Sequence, residues 1–231
     1  IWSTILENGR PTTRIPYESG LKVLAPMVRV NKLPFRILCQ NFGADVVFSE
    51  ELIDRALISA ERRVNKDLGI VEYIDKHNVA IFQSHPEERN LVLQIGTPNS
   101  ELALKVAQHV YKDYDAIDIN CGCPKNFSVK GKMGVSLLRP NSRDRLRDIL
   151  TTLRRNIDKP VTCKIRLLDK MSDTLDLIRM IQSTGVSAIT VHARYIDQRP
   201  REAALLDELP LIKEIAEVPI IANGDCFEHS D

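Results

Sequence analysis

The sequence predicts an α/β protein built as a TIM (β/α)8 barrel, and three observations carry that prediction. Short strands alternate with amphipathic helices in units of about 25 to 45 residues. The strands, of the type VLAP, VVFS and IIAN, are apolar nearly throughout, as in a parallel sheet covered on both faces. Polar or conformationally special residues end nearly every strand: Pro26-Met27, Glu50, Gln94, Asn120 to Cys123, Lys164 and Arg166, His192, and Asn223-Gly224-Asp225. Barrels of this kind gather their functional residues on that rim. An open doubly wound sheet shares the alternation, but no G-x-G-x-x-G follows the first strand, which weakens that alternative.

The elements follow in order. Residues 21–26 form the first strand, and a helix over 32–43 closes at Gly43, since glycine readily takes the left-handed conformation that ends helices. Residues 44–50 read as the second strand and 50–63 as the second helix. Two alternating runs around Lys76-His77-Asn78 predict a hairpin insertion over 71–82. A strand over 91–96 leads to a helix over 99–113, where Leu102, Val106 and Val110 recur at helical spacing and Thr97 or Asn99 can cap the start. Further strands fall at 116–122, 160–168, 187–193 and 218–225. Helices fall at 141–157, 173–185 and 203–217, and Pro210 must break or start a helix inside the last. Seven barrel strands are counted, and a closed barrel needs an eighth βα unit. The chain is therefore expected to be a barrel truncated after its seventh strand, with residues 1–20 as an N-terminal extension and 21–231 as one catalytic domain.

Composition narrows the classes. The chain has 231 residues, 43% hydrophobic and 27% charged, with a formal net charge of +1. This is the profile of a globular protein and not of a strongly basic nucleic-acid module, so an RNA partner would be gripped by local patches. No apolar run approaches a membrane span, and the chain opens on Ile1 without a secretory signal. Five cysteines, Cys39, Cys121, Cys123, Cys163 and Cys226, are an odd and scattered set that fits a reducing compartment: the cytoplasm, with the nucleus left open.

The stretch Asp118-Ile119-Asn120-Cys121-Gly122-Cys123-Pro124-Lys125 carries the chemical question. A single C-x-C without a second ligand cluster makes a poor zinc site, so no metal is expected. A disulfide at this spacing is strained. What remains is a thiol aimed at a substrate, or a buried structural thiol. Lys164 and Arg166 alternate on one strand and share a face. The Arg-rich stretches RRVNKDLG and RDRLRDILTTLRRN read first as solvated faces with Asp–Arg partners, and second as phosphate contacts. KNFSVKGKMG has the Gly and Lys content of a lid near RNA.

LAPMVRV, EELID, LQIGT, DINCGCPK, KGKMG, VTCKIRL, ITVHAR and PIIANGD, in order over Leu21 to Asp225, resemble the flavin-dependent tRNA-dihydrouridine synthases. EELID and DTLDLIRMI are most similar to the eukaryotic tRNA-dihydrouridine(20) synthase [NAD(P)+] type. The resemblance implies a TIM barrel holding FMN, NADPH or NADH as reductant, a tRNA substrate, and reduction of a D-loop uridine to 5,6-dihydrouridine. It implies Cys123 as the catalytic proton donor, Pro26, Met27, Gln94, Lys164 and His192 around the flavin, and Asn120 and Arg166 on the substrate side. Asn223, Gly224 and Asp225 would begin phosphate capture, completed by a Gly-Arg loop, an eighth strand and a helical tRNA-binding domain beyond this chain. Cys121 stands where relatives commonly carry Met, and reads as a packing residue. A monomer is expected. Two other readings stay open: a flavin-dependent reductase or dehydrogenase of a free pyrimidine, of the dihydroorotate type, and a non-catalytic RNA-binding remnant.

Overall fold

A computed structural model describes residues 6–10, 15, 17 and 20–228. Strand β1 (Val23–Leu24) leads through helix α1 (Leu33–Asn41) to β2 (Val46–Phe48). After an interruption, β3 (Leu52–Ile53) continues the line of β2 and runs into the short helix α2 (Asp54–Ile58). Strands β4 (Glu61–Asn65), β5 (Ile70–Ile74) and β6 (Ala80–Ser84) pair antiparallel as a separate small sheet. Regular alternation then resumes with β7 (Leu91–Gly96), α3 (Ser100–His109), β8 (Ala116–Asn120), α4 (Asn126–Lys130) and α5 (Arg143–Asn156). It ends with β9 (Val161–Leu167), α6 (Met171–Gln182), β10 (Ala188–Tyr195), α7 (Leu209–Ile215) and β11 (Ile220–Asn223).

The parallel strands pair in the order β1-β2-β7-β8-β9-β10-β11, with β3 also on β7. This is the sequential order of a barrel wall, and it matches the seven predicted barrel strands. Among the described residues β1 and β11 each pair on one side only. Two cores separate along the strand alternation. The larger lies between sheet and helices: Leu93, Ile95, Ile117, Ile119, Cys163 and Ile165 pack with Val106, Leu146, Leu150 and Leu177. The smaller, Val46, Phe48, Val92 and Ala116 with Ile15, fills the inner face near the strand beginnings. Above it the inner face turns polar, at Gln94, Asp118 and Thr162, so the same strands that seal the base carry functional groups toward the rim.

Local signals act as the sequence predicts at several points. Asn99 caps α3, its side chain accepting from Leu102 N at 2.9 Å. Gly43 and Gly185 take φ of +96° and +82° just beyond their helices. On α5, Leu146, Ile149, Leu150 and Leu153 are buried while Arg147 pairs with Asp144 on the solvated face at 2.6 Å. Two predicted helices are corrected. The helix over 50–63 shrinks to Asp54–Ile58, because Glu61–Asn65 is recruited as a third strand beside the predicted hairpin. Its Arg62 is held by Asp113, not by solvent. The helix over 203–217 begins only at Leu209, with Pro210 in its first turn, where a missing N–H costs nothing.

Candidate active site at the rim of the barrel

Strand register gathers most of the sequence-predicted residues at the strand ends. Gln94 pairs with Asp118, and Asn120 with Lys164. Arg166 pairs with His192, and His192 with Asn223. Adjacent parallel strands in equal register point equivalent residues to the same face, so these side chains line one continuous inner arc.

A directed chain of hydrogen bonds runs up this arc to Cys123. Buried Asp118 accepts from Thr162 Oγ1 at 2.6 Å and from Gln94 Nε2 at 2.8 Å. Gln94 Oε1 accepts from Asn120 Nδ2 at 2.9 Å. Asn120 Oδ1 accepts the main-chain N–H groups of Gly122 and Cys123 at 3.0 and 2.9 Å. The acceptor-only carboxylate at the base fixes which way each amide points. Gln94 and Asn120 thus each keep one N–H for a ligand, and both hold the Cys123 loop. Burial raises Asp118 to about 6, against the two hydrogen bonds that lower it.

Cys121 and Cys123 go to different places. Cys121 is fully buried in the outer core, as its reading as a packing residue requires, and Cys123 is half-buried at the rim. Burial raises the Cys123 thiol above its usual range, and the nearby Glu51 charge raises it further. All five cysteines are free.

Beyond Cys123 the rim is cationic. The half-buried Lys164 ammonium has no hydrogen-bond or ion-pair partner among the described residues, and burial lowers it to about 8. His192 is lowered to about 3, by burial first and then by Lys164, Arg166 and Arg194, so its ring is neutral. Arg194 Nη1 lies 3.0 Å from His192 Nε2. An arginine can only donate, so Nε2 accepts and the ring proton sits on Nδ1. Arg194 is itself held by Asp225 and by Glu202 O. The Asp225 carboxylate also accepts from Ala204 N at 2.6 Å. Asp225 is therefore engaged in fixing Arg194 and the loop after β10, and Gly224 supplies the left-handed turn, φ +127°. Arg166 donates to the carbonyls of Gly122, Tyr195 and Gln198 at 3.1, 2.8 and 3.1 Å, tying the Cys123 loop to the end of β10.

The loop after β1 closes the arc on the other side. Pro26 is half-buried and Met27 is 40% exposed. Glu50 anchors this loop: its carboxylate accepts from Arg29 N at 2.7 Å and pairs with Lys32. Arg29 holds a left-handed φ of +67° there.

Four residues of the site carried no prediction: Glu51, Asp118, Ser128 and Arg194. Glu51 enters through a bulge. Between Phe48↔Val92 and Leu52↔Ile95, three residues of the β2–β3 line oppose two of β7. Such an insertion re-aims side chains, often beside active sites. Paired acids ending an apolar strand were the available signal. Asp118 in an otherwise apolar strand, and Arg194 two residues after His192, were legible in the same way. Ser128 was not, because its position depends on how α4 folds back.

The fold and this rim define a barrel protein with a half-buried thiol and a cluster of cationic side chains at the ends of its strands. The chain belongs to the dihydrouridine synthase (Dus) family, whose model matches residues 23–231. It is 41% identical over 220 residues to the tRNA-dihydrouridine(20) synthase [NAD(P)+] of Schizosaccharomyces pombe, covering 90% of this chain and 46% of that protein. It is 40% identical over 227 residues to the same-named protein of Saccharomyces cerevisiae, covering 92% of this chain and 59% of that one. The chain thus spans about half the length of these relatives. Among solved structures it is similar to DHODH of Eimeria tenella, with a TM-score of 0.55 at 14% identity, over 96% of this chain and 77% of that one, a likeness of fold alone.

Proposed function

We propose that this chain is the barrel part of an enzyme that reduces a uridine of the tRNA D-loop, at position 20, to 5,6-dihydrouridine. The observation that carries this reading is the Cys123 thiol, raised by burial and held at the rim by Asn120, whose strand register pairs it with Lys164. Saturating a C5–C6 double bond needs a hydride on one carbon and a proton on the other. A positioned acid that stays protonated near neutral pH can deliver the second.

The donor set fits FMN. Lys164 offers a cation that feels the Asp118 charge but forms no ion pair among the described residues, suited to an electron-rich ring edge. Neutral His192 offers Nδ1–H, and Gln94 one remaining amide N–H. The main chain of Pro26 and Met27 would support the ring, and the Asn223-Gly224-Asp225 turn lies where barrels receive phosphate. FMN bound there and reduced by NADPH or NADH would supply the hydride equivalent for C6 of uracil. Asn120 and Arg166 hold the Cys123 loop rigid, which fixes where the sulfur sits relative to the base. Cys123 Sγ gives its proton to C5, and the electron pair of the S–H bond stays on sulfur. The same reading places the protein as a monomer in the cytoplasm or nucleus, with tRNA as its partner.

The test is to incubate the natural protein with FMN, NADPH and either a tRNA transcript or free uracil. A gain of two hydrogens at one D-loop uridine, with free uracil unchanged, supports the proposal. Reduction of the free pyrimidine alone would make it a small-molecule reductase. A protein that binds the transcript but neither holds flavin nor forms product would be the non-catalytic remnant.

A further inference from the structure

Two buried oxygens near Cys123 belong to side chains whose one polar neighbour of note is its thiol. Glu51 is 8% exposed and Ser128 is fully buried, yet Glu51 Oε1 and Ser128 Oγ have no conventional hydrogen-bond partner. A buried polar atom left unpaired costs about 1–3 kcal/mol, so such atoms mark a function or a ligand. Both belong to side chains that interact with the Cys123 thiol, as does the main-chain N–H of Lys125.

Two glycines make room for this trio. A Cβ on Gly96 would fall 2.7 Å from Glu51 Oε1. A Cβ on Gly134 would fall 2.5 Å from Cys123 O and 3.1 Å from Cys123 Cβ, and would collide with Ser128 Oγ. Gly134 also needs its φ of +57°. The acid arrives by the β2–β3 bulge and the hydroxyl by the fold-back of α4, from two unrelated elements onto one sulfur.

We propose, building on the function above, that Glu51 and Ser128 are positioning residues for the Cys123 thiol. Glu51 holds the sulfur protonated before transfer, and Ser128 donates to the sulfur anion left after it. The carboxylate opposes a second negative charge beside it, which favours S–H. The hydroxyl has a proton to offer, which favours S⁻ once C5–H has formed. The thiolate then regains its proton from solvent water, closing the cycle. Arg166 of β9 has a charge interaction with Cys123, and its Nε is bonded to Gly122 O. The Gly134–Leu138 turn carries no titratable side chain, and β7 presents Gly96 toward the acid.

The test reads Cys123 itself. Alkylation by iodoacetamide is followed against pH in the natural protein, with the Cys123 peptide resolved by mass spectrometry from those of Cys39 and Cys226. Glu51→Gln should move the alkylation midpoint down by about one pH unit, an approximately tenfold faster reaction at neutral pH. Ser128→Ala should move it up. Opposite shifts are a signature that mere loosening of the loop does not give, since loosening exposes the sulfur in both variants. Shifts of the same sign, or none, would overturn the assignment. Because the readout needs neither flavin nor tRNA, opposite shifts without dihydrouridine formation would remove the proposed function and leave this inference standing. Product formation without shifts would do the reverse.

Discussion

At the end where the strands begin, every buried charge described here has a partner. Arg10 pairs with Asp115 at 2.8 Å, and Asp115 also accepts from Leu91 N. Asp113 receives both Arg62 and the Tyr73 hydroxyl, each at 2.7 Å. Lys159 donates to the carbonyls of Tyr111 and Tyr114 and lies over both rings, 4.5 and 4.6 Å from their centroids. At the end where the strands finish, Lys164, Glu51 Oε1 and Ser128 Oγ stand without conventional partners. Taking a charge out of water is costly unless it is compensated. At Asp113, Asp115 and Lys159 the chain meets that cost itself, although Tyr17 Oη and Arg154 Nε, also near the strand beginnings, have no hydrogen-bond partner among the described residues. Charges paired within the chain at the base belong to stability, and the groups gathered around Cys123 at the rim are the candidates for chemistry.

The largest effect should come from breaking the base. Asp115→Ala leaves Arg10 buried without its anion and Leu91 N–H without its acceptor. Loss of one partner from such a pair costs about 3–5 kcal/mol, read as a lower urea midpoint. The pH profile of Cys123 alkylation should not move, since Asp115 lies at the opposite end of β8. A shifted profile would mean that the two ends are not independent.

A smaller and inverted effect is expected at the rim. Lys164→Met removes a desolvated ammonium that has no ion pair among the described residues, only the more distant Asp118 charge, so the urea midpoint should hold or rise. FMN retention should weaken by about ten- to hundredfold, the value of a hydrogen bond to a charged group. A large fall in stability would show that Lys164 has a structural partner after all.

The smallest effect is a pH dependence. The free Lys164 ammonium titrates near 8. An electron-rich ligand favours its charged form and so raises that value in the complex. FMN affinity should therefore be flat below about pH 8 and decline above it, where binding must first restore a proton. The decline should vanish in Lys164→Met, and fluorescence titration of FMN across pH 6.5 to about 9.5 checks it.

The base and rim also differ in how far the sequence exposed them. The seven barrel strands were legible because each is an apolar run, and the rim because polar residues end those runs. Asn120, Lys164 and His192 were visible by position, and register confirms that they share one arc. The third strand of the small sheet was not legible: Glu61-Arg62-Arg63 has no alternation of its own and becomes a strand only by pairing with Tyr73 and its neighbours. Glu51 was hidden for a related reason. A one-residue bulge is invisible without the facing strand, and it decides whether Glu50 or Glu51 turns toward Cys123. Likewise the engagement of Asp225 with Arg194 and Ala204 arises from contacts across more than twenty residues of chain.

The central claim is that Cys123 donates the proton that completes reduction at C5, and its most direct test is Cys123→Ala in the natural protein. The variant should retain FMN, accept reducing equivalents from NADPH, and form no dihydrouridine on a tRNA transcript. Dihydrouridine formed at the wild-type rate would contradict the account, because some other group at the rim would then be the acid.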